Sequence, residues 1–151
     1  MRYLILLFAS LLLFAEEVKI SADKFQADEV NKIAVFEGNV KLIKGKDLIK
    51  AEKLTILFDN KNKPIEYSAE GNPIFQFVMK DKTYKGKADK IVYTPNDGKY
   101  SLIGDVFVKE ERENRKIYGD KLTIDKATGK ITIKGKKNEP VRFIFQVEEK
   151  Q

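Results

Sequence analysis

The sequence predicts an all-β protein, an open jellyroll of about 14 to 16 short antiparallel strands built from four related units of about 32 residues. Apolar and polar residues alternate with a period of two in nearly every segment after Glu17, as in Phe36–Leu42 and Tyr100–Val108. Turn-forming residues separate these segments, and Asp97-Gly98 is a two-residue hairpin signal. Two short motifs also recur along the chain, which is typical of stacked units that cannot bury their apolar faces alone.

The first 15 residues have the pattern of a secretory signal peptide. Met1-Arg2 gives a positive start, residues 3–15 are almost wholly apolar, and Glu16-Glu17 ends the run. Thirteen such residues are too few to span a bilayer, which needs about 20. We therefore expect cleavage after Ala15, export to a bacterial periplasm, and a single mature domain of residues 16–151; the alternative is an uncleaved membrane anchor.

The repeated motifs are an in-strand glycine and a small residue followed by an acid and a lysine. The glycines lie in Gly38-Asn39-Val40, Gly71-Asn72-Pro73, Gly104-Asp105-Val106 and, more weakly, Gly135-Lys136, with spacings of 33, 33 and 31 residues. The acids lie in Ala22-Asp23-Lys24, Ala51-Glu52-Lys53, Ala88-Asp89-Lys90 and Gly119-Asp120-Lys121. Glycines inside strands predict a line of bends. A three-residue step between apolar positions at each acid predicts a β-bulge there.

A stack of this kind leaves two strand edges open, near Val18–Ala27 and near Val141–Val147. Open edges recruit other strands, and pairing between unlike edges builds a filament. We therefore expect concentration-dependent oligomers, and if unlike edges pair, these are head-to-tail homo-oligomers. The edge residues predicted to take part are Phe25, Val141, Phe143 and Phe145.

The composition excludes several kinds of site. The 151 residues include no Cys and no His, which removes disulfides, thiolate ligands, and the commonest general base and metal ligand. Adjacent carboxylates such as Glu110-Glu111 point to opposite faces of a strand and cannot act as a pair. We therefore expect no enzymatic activity, no metal site and no cofactor.

The inward apolar stripe has two interpretations that periodicity does not separate. It is either a plain core or an apolar groove that holds acyl chains between two sheets. Burying an acyl chain of about 12 carbons would contribute about 10 kcal/mol. The net charge of +6 fits either anionic lipid head groups or a solvated basic surface, and the export signal argues against nucleic acid as a partner.

The alternating acid and glycine motifs resemble those of the OstA-like family of periplasmic lipopolysaccharide-transport proteins, over about Val18–Phe145. The best segments are Phe36–Leu42, Ala51–Ile56, Ala88–Tyr93, Leu102–Val108 and Gly119–Ile124. The resemblance implies a twisted, V-shaped jellyroll that binds the lipid A part of lipopolysaccharide between its sheets. It also implies a head-to-tail bridge from inner to outer membrane, with an inner-membrane LptC-like component and an outer-membrane LptD-like component as partners. The implied groove residues are Val18, Ile20, Phe36, Val40, Leu54, Ile56, Phe75, Phe77, Ile91, Tyr93, Leu102 and Val106.

Two alternatives stay open at this point. The sister inner-membrane component LptC shares the fold and keeps its N-terminal helix as an anchor, so the fate of residues 1–15 distinguishes it. A structural or polysaccharide-binding β-repeat protein with a dry core would have no affinity for lipid.

Overall fold

The computed structural model describes residues 17–148, which form twelve antiparallel β-strands. The all-β prediction is confirmed, whereas the predicted signal peptide, residues 1–15, lies outside the described residues. No helix long and apolar enough to cross a membrane occurs within residues 17–148. The strands are β1 (Val18–Ser21), β2 (Lys24–Asp28), β3 (Ile33–Lys44), β4 (Asp47–Phe58), β5 (Pro64–Glu70), β6 (Ile74–Met79), β7 (Lys82–Lys87), β8 (Lys90–Thr94), β9 (Lys99–Glu110), β10 (Arg115–Asp125), β11 (Lys130–Lys134) and β12 (Arg142–Ile144).

One continuous hydrogen-bonded sheet bends into two leaves that face each other. Strands β3, β4, β9 and β10 run through the bend, so each gives one half to each leaf. The first leaf has the order β2, β3, β4, β5, β8, β9, β10, β11. The second leaf has the order β1, β3, β4, β6, β7, β9, β10, β12.

The predicted 14 to 16 strands correspond to segments of leaves rather than to continuous strands. The described chain has twelve strands, because four of them pass through the bend without leaving the sheet. Counted by leaf, there are eight segments in each and sixteen in all. The sequence pattern breaks at Gly38-Asn39 and Gly104-Asp105, which makes one long strand resemble two short ones.

The bend, which we term the corner, brings the two repeated motifs into contact. The acid of each of the first three motifs donates its backbone N–H to the carbonyl of a glycine, in the pairs Asp23–Gly38 (2.8 Å), Glu52–Gly71 (3.1 Å) and Asp89–Gly104 (2.9 Å). The weaker fourth motif differs, because Gly135 lies against the backbone of residues 139–141 instead of against Asp120. The first three glycines have φ of +82°, +80° and +83°, a conformation that glycine adopts without strain. The acid side chain lies against the glycine, so that a Cβ there would come within 2.4–2.6 Å of it. The corner therefore requires glycine for both its backbone angle and its lack of a side chain.

The predicted bulge exists, but it lies on the glycine strand. Gly38 and Asn39 of β3 together oppose Glu52 of β4, and the same two-to-one register recurs between β9 and β10, opposite Asp120. The sequence placed the bulge at the acid because the apolar parity changes there. The extra residue comes instead from consecutive positive φ angles, such as +46° at Asn39 after Gly38.

The two open edges are where the sequence predicts them. Strands β1 and β2 form one edge, and β11 and β12 form the other. The last strand is shorter than the predicted Val141–Val147, because β12 pairs with β10 only at residues 142–144. Each leaf therefore has one edge strand from each end of the described chain.

Candidate functional site

The predicted groove residues lie on the inner faces of the two leaves. Six come from the first leaf (Phe36, Leu54, Ile56, Ile91, Tyr93, Leu102) and six from the second (Val18, Ile20, Val40, Phe75, Phe77, Val106). Eight of them are buried in one hydrophobic cluster, and Val18, Ile20, Phe36 and Tyr93 are half-buried against it. The structure therefore brings all twelve together in one interior, facing one another across the leaves.

An aromatic series crosses this interior from one leaf to the other. Phe75 and Phe77 of β6 stack with ring centroids 4.6 Å apart, and Phe77 lies 4.2 Å from Tyr100 of β9. Tyr100 in turn lies 4.6 Å from Tyr93, and Tyr93 lies 5.7 Å from Tyr67. Since β6 belongs to the second leaf and the three tyrosines to the first, the Phe77–Tyr100 contact is where the rings join the leaves.

The side opposite the corner, which we term the mouth, carries the hairpin turns of both leaves. In the described residues these are 28–33, 58–64, 94–99 and 125–130 in the first leaf and 44–47, 79–82 and 110–115 in the second. A narrow apolar cleft opens there between the leaves, and Val18, Leu42 and Ile49 of the second leaf face Leu54, Ile91 and Tyr93 of the first. Its volume is about 10 Å³, roughly the space of one water molecule. In this conformation the interior is closed.

A buried polar cluster ties the leaves together at the mouth. Asp47 of the second leaf is 5% exposed, and its Oδ2 accepts from the Tyr100 hydroxyl at 3.2 Å. The Nζ of Lys126, just after β10 of the first leaf, lies 3.0 Å from the same oxygen. Lys126 also donates to the Val78 carbonyl at 2.8 Å, and the Val78 N–H donates to Asp47 Oδ1 at 3.1 Å. These contacts oppose separation of the leaves.

A cation–π contact and a tyrosine with a raised pKa lie at the cleft. Lys44 Nζ lies 4.9 Å from the centre of the Tyr93 ring, so a cation from the second leaf lies over an aromatic face of the first. Burial raises the pKa of the Tyr67 hydroxyl, Tyr93 adds to this rise, and Lys44 opposes it. The pKa of Tyr67 is therefore higher in the folded state than in the unfolded state. The protein keeps its full stability with respect to this hydroxyl below about pH 10, and it loses stability as the pH rises through the folded-state pKa.

The predicted edge residues lie at opposite ends of the sheet. Phe25 is 58% exposed on β2 and packs on Phe36, with 4.7 Å between ring centroids. Phe143 and Phe145 are 50% and 56% exposed and contact each other at 5.4 Å, and Val141 is half-buried just before β12. Both edges thus expose phenylalanine rings that continue the inner surface.

The sequence prediction omitted Tyr100, Asp47 and Lys126. Tyr100 is 1% exposed and has the same parity as Leu102, so the alternation did contain a signal for it. Asp47 follows Gly45-Lys46, which reads as a solvated turn, and nothing in the sequence indicates that it pairs with a lysine 79 positions away. Within residues 17–148, no three His, Cys, Asp or Glu side chains group closely enough to hold a metal ion.

Comparison with known proteins gives one family and a solved structure. Residues 19–130 match the family described as LptA/(LptD N-terminal domain) LPS transport protein. The fold is similar to that of LptH from Pseudomonas aeruginosa, described as the LptA homologous periplasmic component of the conserved lipopolysaccharide transport device. That match has a TM-score of 0.77 at 15% identity and covers 87% of this chain and 96% of that one. No curated protein is significantly similar in sequence.

Proposed function

Because this chain belongs to the LptA/(LptD N-terminal domain) family of LPS transport proteins, we propose that it carries lipopolysaccharide with the lipid A acyl chains held between its two leaves. Membership confirms the family resemblance of the repeated motifs. The observation that carries the proposal is the apolar interior, to which both leaves contribute and which reaches the surface at the mouth. The implied groove residues all lie on that interior surface.

The closed interior sets a condition for binding. A space of about 10 Å³ holds no acyl chain, so the leaves must move apart before lipid is taken up. A buried methylene contributes about 0.8 kcal/mol, so several acyl chains can replace the contacts between leaves that are lost. Separation at the mouth would break the contacts of Asp47 with Tyr100 and Lys126 and the ring contact between Phe77 and Tyr100.

The proposed location is the periplasm, reached through a cleaved signal peptide at residues 1–15. The similarity to a periplasmic component supports this location, and the apolar pattern of residues 3–15 is its sequence basis. A carrier of this kind is not an enzyme, and its expected partners are LptC-like and LptD-like components of the two membranes. A mature chain that begins at Glu16 would distinguish this protein from the membrane-anchored sister component, which keeps its N-terminal segment.

The proposed assembly is head to tail, through the edge strands. Phe25 at one edge and Phe143 and Phe145 at the other are each at least half exposed, a surface that a second copy would cover. Since the inner surface reaches both edges, stacked copies would align their interiors into one continuous apolar path.

Photocrosslinking tests where the lipid lies. A benzophenone side chain at Tyr93 or Phe36 is expected to capture lipopolysaccharide during transport, because both residues are half-buried on the inner face. Matched probes at Val92 and Val35, next to them on the same strands but on the outer face, should capture little. Equal capture at inner and outer positions, or none at Tyr93 in folded and active protein, would contradict the interior as the lipid site.

Truncation tests the assembly. Removing residues 141–151, or replacing Phe143 and Phe145 with Ser, is expected to reduce concentration-dependent oligomers measured by light scattering, since the exposed rings of one edge are lost. Ile103→Ser is the control, because Ile103 is exposed on the outer face of β9, away from either edge. An unchanged oligomer size in the edge variants would rule out this edge as the contact.

A further inference from the structure

The outer surface of the second leaf carries unbalanced positive charge. Across neighbouring strands, Lys41 lies opposite Lys50, and Lys85, Lys109 and Lys116 lie opposite one another in turn. Lys87 extends the group on β7. We term these six lysines the basic face. In the part of the chain that the structure describes, only Lys85 among them has an ion-pair partner, Glu111 at 2.8 Å.

The outer surface of the first leaf is different, although its strands are as rich in lysine. There the register places opposite charges beside each other, in the series Lys24, Glu37, Lys53, Glu70 and Lys90. Lys90 and Glu70 form an ion pair at 3.5 Å. The two outer surfaces therefore differ in the position of their acidic residues. Acids alternate with the lysines on the first leaf and are absent between the facing lysines of the second.

The basic face works against stability in isolation. Like charges directly opposite each other in a sheet are destabilising, and three lysines in register on adjacent strands form two such pairs. An anionic partner lying over the face would remove this repulsion. The lysines are spread over five strands, which gives the basic face a width of roughly 20 Å or more. A small phosphorylated solute would contact only a few of these lysines, whereas a broad anionic surface would contact all of them.

Exposed apolar side chains lie among these lysines. Ile74 is 50% exposed and has Lys50 and Lys87 as its cross-strand neighbours, and Ile144 is 47% exposed beside Lys116. Isoleucine among lysines suits the boundary of a bilayer, where the cations meet phosphates and the alkyl groups reach below them.

We propose that the basic face docks this protein on the surface of an anionic phospholipid bilayer, with the second leaf toward the lipid. The broad outer face of the second leaf suits the extended surface of a membrane, and the lysines match its charge. In a docked protomer the stacking direction of the strands lies parallel to the bilayer, whereas in a bridge between membranes it would run from one membrane to the other. One protomer can therefore be docked or be part of a bridge, but not both at once. The inference does not depend on what the interior holds.

Co-sedimentation with vesicles tests the docking. The full mature protein is expected to bind phosphatidylethanolamine vesicles containing about 30% phosphatidylglycerol, more weakly as salt rises, and not to bind neutral phosphatidylcholine vesicles. The variant Lys85→Gln, Lys109→Gln, Lys116→Gln is expected to lose about tenfold or more in affinity. The matched control is Lys53→Gln, Lys90→Gln, Lys121→Gln, which removes the same charge from the first leaf and should stay within about twofold of the wild type.

Three results would overturn the proposal. Equal losses in the two triple variants would mean that net charge alone attracts the protein. Equal binding to neutral and anionic vesicles would exclude the lysines as the cause. Release from vesicles by millimolar glucose 6-phosphate at constant ionic strength would indicate a small phosphate site in place of a bilayer surface. Thermal unfolding by circular dichroism checks that both variants are folded. The basic-face variant loses repulsion between facing lysines, and the control variant loses only exposed contacts such as that of Lys90 with Glu70.

Discussion

Phe77→Ala is expected to lower the free energy of unfolding by about 4 kcal/mol. Phe77 is fully buried and its ring contacts Phe75 at 4.6 Å and Tyr100 at 4.2 Å, so truncation leaves a void where the leaves meet. Urea denaturation followed by circular dichroism measures the change. The matched control is Phe107→Ala, which removes the same ring from the outer face of β9 and should cost about 1–2 kcal/mol.

Ligand binding to the wild type and to Phe77→Ala distinguishes a carrier from a protein with a dry core. If acyl chains occupy the interior, a dodecyl ligand below its micelle concentration should raise the melting temperature of both wild type and Phe77→Ala, because it binds the folded state. A protein whose leaves never separate gives no such rise in the wild type. Equal destabilisation by Phe77→Ala and Phe107→Ala would contradict the contact between leaves as the main source of stability.

Asp47→Ala is expected to cost about 3 kcal/mol, because it leaves the largely buried ammonium of Lys126 without its carboxylate and removes acceptors from Tyr100 and Val78. Asp47→Asn should cost less, since an amide oxygen still accepts hydrogen bonds while the ion pair is lost. The control is Glu70→Ala, which breaks an exposed pair with Lys90 and should change stability by less than about 1 kcal/mol. Urea denaturation at pH 7 compares the three.

Asp47 also bears on lipid uptake. Its contacts join the leaves at the mouth, so Asp47→Asn should increase the rate at which a fluorescent acyl probe enters the folded protein, measured by stopped flow. Unchanged uptake in a destabilised Asp47→Asn protein would show that the leaves separate elsewhere. A stability loss no larger than that of Glu70→Ala would show that the buried cluster does not hold the mouth.

The inner surface could be predicted from the sequence because it depends on a local property. A period of two assigns Phe75, Phe77 and Leu102 to one face whatever their partners are, and all are buried. The family resemblance of the acid and glycine motifs likewise depends on spacing alone. Neither prediction requires knowledge of which strands pair.

The remaining features depend on which strands become neighbours. From the sequence, the net charge of +6 is compatible with either anionic lipid head groups or a solvated basic surface. Only the register reveals that Lys85, Lys109 and Lys116 align on the second leaf, whereas Lys53 and Lys90 flank Glu70 on the first. The ion pair between Asp47 and Lys126 could not be predicted for the same reason, because the bend brings these two residues together.

Each corner contact joins an acid and a glycine of the same repeat, as in Asp23–Gly38 and Asp89–Gly104. Each of the first three repeats therefore forms its own bend and needs no distant segment to set it. Duplicating one repeat within the chain would lengthen the interior in the stacking direction and leave its cross-section unchanged. The number of repeats thus determines the capacity of the interior, and this capacity could evolve by tandem duplication without redesign of the fold.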